Sequence, residues 1–295
     1  MELADLPTRR TEDWKYSDLR LALREQPLPN GAPSPAARGP IDQLALFQDA
    51  REVTKVKAGE NALIVDTFDK NGLDARVREI DLAPGATLTR IVVQTGADVT
   101  LSAAYVAVAS GATYNQFVLA EGGKLARIET HVALEGEGAI AELNGVYMCA
   151  AERHADLTSV IEHKSAGGTT RQSVKGVVRA GGRGVFQGRI IVDRGAQKTD
   201  ARQHHQALLL EEGAEAFAKP ELIINADDVQ CAHGNTIGAL DEEALFYMRQ
   251  RGLPEAEARA LLIEAFLLQA VPEDMDAKLH ALIVTRISAW LRGRP

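Results

Sequence analysis

The sequence predicts a mainly β protein with a short mixed region in front of the strands and a helical region behind them. Three observations carry this. From about residue 76, short runs of Val, Ile, Leu and Thr alternate with glycines at Gly85, Gly96, Gly111, Gly123, Gly138, Gly167, Gly182, Gly195 and Gly213, the texture of repeated strand–turn units. Almost no helical periodicity interrupts that stretch. After Leu240 the apolar residues fall at helical spacing instead. A meander, a sandwich and a β-helix, whose successive coils stack into one continuous core, all suit the strand region. The related turn phrases Pro84-Gly85-Ala86-Thr87, Ser110-Gly111-Ala112-Thr113 and Glu212-Gly213-Ala214-Glu215 add weight to a solenoid, although no strict repeat emerges.

The division expected is residues 1–75 as the mixed region, 76–239 as the β core and 240–295 as the helical region. Trp14, Tyr16, Leu19 and Leu23 can form one stripe of a short helix over residues 12–24, which Pro27 and Pro29 would end. The proline- and glycine-containing run at residues 29–35 reads as a mobile linker. Residues 41–47 predict a small helical piece and residues 61–68 a strand.

Behind the strands, Asp241 is placed to cap a helix over residues 242–251 that Gly252 would stop. Pro254 suits the first turn of a second helix, whose Ala258, Leu261, Leu262, Ala265, Phe266 and Leu268 make a broad apolar face up to Pro272. A last amphipathic helix is expected over residues 275–291. Capping the open end of the strand region is the first role expected of these helices, and presenting a face to a partner is the second.

The chain has 295 residues, 45% hydrophobic and 25% charged, enough for a sizeable core. Its formal net charge of -8 argues against a general nucleic-acid binder, which needs a basic surface. The N-terminal residues lack the apolar core of a secretory signal, and no run is apolar enough to cross a membrane. A cytoplasmic protein is therefore expected. Only Cys149 and Cys231 are present, so neither a disulfide framework nor an all-cysteine metal site fits within one chain.

The chemistry concentrates in Ala226-Asp227-Asp228-Val229-Gln230-Cys231-Ala232-His233-Gly234. If this is a strand, Cys231 and His233 face the same side, because alternate strand residues do. Thiolate and imidazole suit iron, zinc or copper, but two ligands fill half of a four-coordinate site. The rest must come from elsewhere. Asp227 and Asp228 would oppose ionisation of Cys231, whereas bound metal would favour it. On residue type alone, a Cys-x-His pair in a strand is more often packing than ligation.

Cys149, in the run Val146-Tyr147-Met148, reads as core. His204 and His205 point to opposite faces of a strand and cannot share one ion. Arg171, Lys175, Arg179, Arg183 and Arg189 read as residues of solvated faces. The sequence contains no Gly-x-x-x-x-Gly-Lys-Ser/Thr phosphate loop, no dinucleotide fingerprint and no Gly-x-Ser-x-Gly nucleophile turn.

Several segments together resemble the SufB/SufD family of iron–sulfur cluster assembly proteins. They are Lys198-Thr199-Asp200, Leu208-Leu209-Leu210, Lys219-Pro220-Glu221-Leu222, the run from Asp227 to Gly234, and Leu240-Asp241-Glu242-Glu243-Ala244-Leu245-Phe246-Tyr247-Met248 with Arg251-Gly252. His233-Gly234 followed by Thr236 and Gly238, and the opening Arg10-Thr11-Glu12-Asp13-Trp14-Lys15-Tyr16-Ser17-Asp18-Leu19, are similar to the SufD branch. The resemblance implies a right-handed parallel β-helix with helical regions at both ends. Two departures stand out: a reduced N-terminal region, and Gln203-His204-His205-Gln206-Ala207 in place of an asparagine-rich pattern.

By the same resemblance, this is a non-hydrolytic assembly subunit that pairs with SufB and docks the ATPase SufC, with a homodimer as a further assembly. A transient iron–sulfur cluster would be shared at the interface, bordered by His233 and with Cys231 as a nearby thiol. Flavin would belong to the complete complex, with no residue assigned to it here. Leu245, Phe246, Met248, Leu262 and Phe266 are the expected contacts with SufC. The competing readings are an independent metal- or acid-dependent β-helix enzyme acting on carbohydrate through Asp227 and Asp228, and a homodimeric scaffold without cluster chemistry.

Overall fold

Fourteen strands wind through the computed structural model, which describes residues 2–28 and 34–293. In chain order they are β1 (Arg51–Val56), β2 (Asn61–Phe68), β3 (Leu73–Leu82), β4 (Thr87–Gln94), β5 (Val99–Val108), β6 (Thr113–Ala120) and β7 (Leu125–Leu134), then β8 (Ile140–Cys149), β9 (His154–His163), β10 (Thr169–Val178), β11 (Arg183–Val192), β12 (Asp200–Leu209), β13 (Glu215–Ile224) and β14 (Gln230–Gly238). Odd-numbered strands form one seven-stranded sheet and even-numbered strands another, each in the order in which the chain visits them. Every ladder is parallel, as in β3 with β5 and β12 with β14. The chain therefore alternates between two sheets as a parallel β-helix.

Two corners per coil explain the glycine punctuation. Gly138 turns one corner at φ 67, and Lys198 occupies a later one at φ 63, a region that glycine enters without the clash of a side chain. Inside the coils, alternate residues pack face to face. Leu82, Leu88, Val108, Tyr114, Leu134, Leu143, Ile161 and Ile190 belong to one buried cluster. Tyr147 reaches across the lumen, and a Cβ on either Gly176 or Gly184 would collide with its ring.

The solenoid starts at β1 and β2, ahead of the boundary expected at residue 76. Both are edge strands with one uncovered face, where Val53, Leu63 and Val65 are exposed, so their apolar pattern is thin. The N-terminal segment departs from the single helix expected over residues 12–24. Glu12–Trp14 is a turn of 3-10 helix and α1 covers only Leu19–Ala22. Trp14 is spent on the Arg127 guanidinium, which stacks on the indole at 4.1 Å, while Leu19 and Leu23 join α2 (Pro40–Phe47) over the outer face of the odd-numbered sheet. The expected linker falls largely outside the described residues, at positions 29–33.

The helical region contains α3 (Glu242–Gln250), α4 (Glu255–Leu268) and α5 (Ala277–Leu291). Asp241 caps α3 through Glu243 N and Ala244 N, and Gly252 follows it at φ 91. Pro254 is the N-cap of α4 and not its first helical residue. Asp276 caps α5. These helices do not cap the open end of the solenoid, as the sequence reading expected. Ile263, Leu267, Ala270, Ile283 and Ile287 instead pack on Ile91, Phe117, Leu119, Val146 and Val177, along the outer face of the even-numbered sheet. That face is apolar in β4, β6, β8 and β10 and would otherwise lie in water. No described helix is long and apolar enough to cross a membrane.

Lys175 corrects a second expectation. It is buried beneath α4, where its Nζ lies 4.5 Å from the Phe266 ring and donates to Gln269 Oε1 at 2.9 Å. Arg179 likewise stacks on Trp290 at 4.5 Å. These cations fasten helices to the sheet and do not stand on a solvated face.

Candidate functional site

Cys231 and His233 lie in β14, the last strand of its sheet. The ladder sets Cys231 opposite Ala201, His233 opposite Gln203, Asn235 opposite His205 and Ile237 opposite Ala207. All four β12 partners are buried. By strand alternation the four β14 residues therefore form the inward row of the last coil. Across the lumen Ile224 ends β13 opposite the buried Val192.

Among the described residues no following coil covers this row. Ile224 is 42% exposed and Ile237 37%, although the residues one coil below them are buried. His233 and Asn235 are also exposed, while Cys231 is half-buried and packs, like Leu222 and Val229, against the buried core of the coils. The site is thus the uncovered end of an apolar core, with an imidazole and a thiol set into it.

Burial raises the Cys231 thiol above its usual pKa, with the Asp200 carboxylate acting in the same direction and the Ala201 backbone opposing it. The sequence reading assigned that repulsion to Asp227 and Asp228. Those residues sit in the bend before β14, which begins only at Gln230. Asp228 is tied there to the Lys198 ammonium, and its N–H donates to Gln197 Oε1 at 2.9 Å. Both aspartates are exposed in that bend and adjacent in the chain, so they do not flank a substrate from two sides as a glycosidase pair must, which argues against the carbohydrate reading. Cys149 is fully buried, its thiol pushed up to about 12 by desolvation.

Among the described residues no group of three or more His, Cys, Asp and Glu side chains could hold a metal ion. Cys231 and His233 supply two donors of the type iron accepts. The donor set fits half of a shared site, and further ligands would have to arrive on another chain.

The inward row continues past the two residues singled out from sequence. Asn235 and Ile237 follow His233 at the same two-residue parity, which is the signal that could have found them. His205, which strand parity separates from His204, lies behind Asn235. It stacks on Phe186 at 4.9 Å and 4°, and on Tyr147 at 5.9 Å and 14°. Gln203 is fully buried behind His233 and donates to Gln172 Oε1 at 2.9 Å, while its own Oε1 has no partner among the described residues.

The expected partner contacts are divided between surface and interior. Phe246 is 62% exposed, Met248 and Leu262 are half-buried, Leu245 is buried and Phe266 lies against Lys175. Tyr247, beside Phe246, is also exposed.

Comparison with known proteins places this geometry. Residues 43–266 match the family model described as SUF system FeS cluster assembly, SufBD core domain. The iron–sulfur cluster assembly protein SufD of Escherichia coli is 36% identical over 172 residues, covering 58% of this chain and 41% of that protein. The chloroplastic protein ABCI7 of Arabidopsis thaliana is 40% identical over 154 residues, covering 52% of this chain and 32% of that one. A SufBD family protein of Mycobacterium leprae, ML0594, is 28% identical over 262 residues, covering 84% of this chain and 66% of its own length. The chain thus spans less than half of the first two relatives. With the matched core running from before β1 into α4, the chain belongs to the SufBD family of iron–sulfur cluster assembly proteins and is SufD-like within it.

Proposed function

We propose that this chain is a non-hydrolytic scaffold subunit of iron–sulfur cluster assembly, which pairs through the open end of its solenoid with a SufB-type chain and docks a SufC-type ATPase on its C-terminal helices. The observation that carries the reading is the exposure of Ile224 and Ile237, inward-facing residues that lack a covering layer. Apolar surface of this kind, on unpaired edge strands, marks a place where another chain packs. The matching end of a related solenoid would continue both sheets and bury it.

His233 then borders the forming cluster, which is cargo and not a resident group. A neutral imidazole can ligate iron, and Cys231 provides a thiol on the same face, while the partner's thiolate and inorganic sulfide complete the coordination. Burial keeps Cys231 protonated until metal displaces the proton. On this reading nucleotide hydrolysis belongs to the ATPase, in keeping with a sequence that carries no phosphate loop. Phe246, with Met248 and Leu262, offers the docking surface, while Leu245 and Phe266 hold the helices in place beneath it. The compartment expected is the cytoplasm, and flavin, if bound, belongs to the assembled complex.

Co-expression with SufB- and SufC-type chains tests the pairing. Ile237→Glu should abolish co-purification of the SufB-type chain while leaving the circular dichroism of this chain unchanged. Full recovery of the complex with that variant, or a wild-type chain that forms only homodimers, would overturn the pairing.

A further inference from the structure

The inward row of β14 ends a hydrogen-bonded chain that begins deep in the solenoid. Tyr147 and His205 are fully buried, and Asn235, opposite His205 in the ladder, is exposed. His205 Nε2 lies 2.9 Å from Tyr147 Oη, and its Nδ1 lies 2.6 Å from Asn235 Oδ1. An amide oxygen only accepts, and a neutral imidazole has one donor nitrogen and one acceptor. Nδ1 therefore carries the proton, and Nε2 accepts the phenolic proton of Tyr147. Desolvation holds the imidazole neutral, lowering its pKa to about 4.

With its oxygen engaged by His205, exposed Asn235 has its Nδ2 amide, bearing two N–H donors, left for a ligand at the uncovered end. We propose that Asn235 is a sulfur-recognition residue whose Nδ2 amide, oriented by Tyr147 and His205, donates a hydrogen bond to the thiolate or inorganic sulfide assembled against Cys231 and His233. The proposal rests on the functional reading above. The chemistry favours sulfur because the whole inward row, Cys231, His233, Asn235 and Ile237, lacks Lys and Arg. A neutral donor suits a soft, polarizable anion that must later be released. N–H donors to cluster sulfur also tune its reduction potential. Asn235 contacts the cargo, and His205 acts through it as a positioning residue.

Long-range 1H–15N correlation spectra of the labelled free chain read the His205 tautomer directly. The Nδ1–H form is expected, and an Nε2–H form would turn the Asn235 oxygen outward and overturn the proposal. Sodium hydrosulfide added to the same sample should shift the Asn235 side-chain NH2 resonances, and the absence of any shift would also overturn it. In the cluster-bearing complex, Asn235→Ala should move the midpoint potential to a more negative value, and Asn235→Asp further still, at equal complex yield. Unchanged potentials in both variants would contradict the donor role. A wild-type complex that never holds a cluster would sink the functional reading instead, and the tautomer and hydrosulfide experiments would still decide the role of Asn235.

Discussion

The Lys175 ammonium lies 4.5 Å from the centre of the Phe266 ring, joining the outer face of β10 to α4. With Arg179 on Trp290 it makes two cation–aromatic clasps between the sheet and the C-terminal helices. Such a contact is worth about 0.5–2 kcal/mol beyond the area it buries. Phe266→Ala should therefore cost about 2 kcal/mol in urea unfolding. Hydrogen exchange should speed up in α4 and α5 and stay slow in the strands. Equal acceleration throughout the chain would mean that the helices are not a separately held layer.

Tyr147 fixes two glycines at once. Because a Cβ at Gly176 would stand 2.0 Å from its Cζ, Gly176→Ala should destabilise the chain by about 1–3 kcal/mol, the usual cost of overpacking. Combining it with Tyr147→Leu should cost less than the sum of the two single changes, since the collision is shared. Strict additivity in the double-mutant cycle would refute the steric account.

Acid should weaken the fold in two steps. Burial lowers His154, His163 and His205 to about 4. The unfolded chain takes up these protons near the ordinary histidine value of 6.5, before the folded chain does, so stability falls as pH drops from 6.5 towards 4. Glu129 acts lower down. Burial alone would raise it, but the Arg127 guanidinium and His131 hold it at about 2, so its contribution is complete above 4.5 and disappears as pH falls towards 2. The urea midpoint should be highest above pH 6.5, and His163→Gln should flatten its decline between pH 6.5 and 4. A midpoint independent of pH across that range would contradict the neutral buried histidines.

Much of this was legible where local chemistry decides the outcome. Asp241 and Gly252 mark the ends of α3 because capping and a left-handed turn are properties of a few adjacent residues. The parity of Cys231 and His233 follows from strand geometry alone. Long-range choices were not legible. The stripe of α4 shows an apolar face but not which surface it meets, so the outer face of the even-numbered sheet could not be told from the open end. Lys175 reads as a surface charge until Phe266 and Gln269 are brought over it. Trp14 meets Arg127 only through the fold, and so its stripe read as a helix. Glycine punctuation marks two corners per coil without saying whether the strands between them stack or fold back.

Anaerobic iron and sulfide reconstitution of the co-purified complex with SufB- and SufC-type partners tests the central claim most directly, comparing wild type with His233→Ala at matched yield. The account predicts a cluster absorption band in the wild-type complex that is lost in the variant while the assembly stays intact. An undiminished band in the variant would show that the cluster forms without His233.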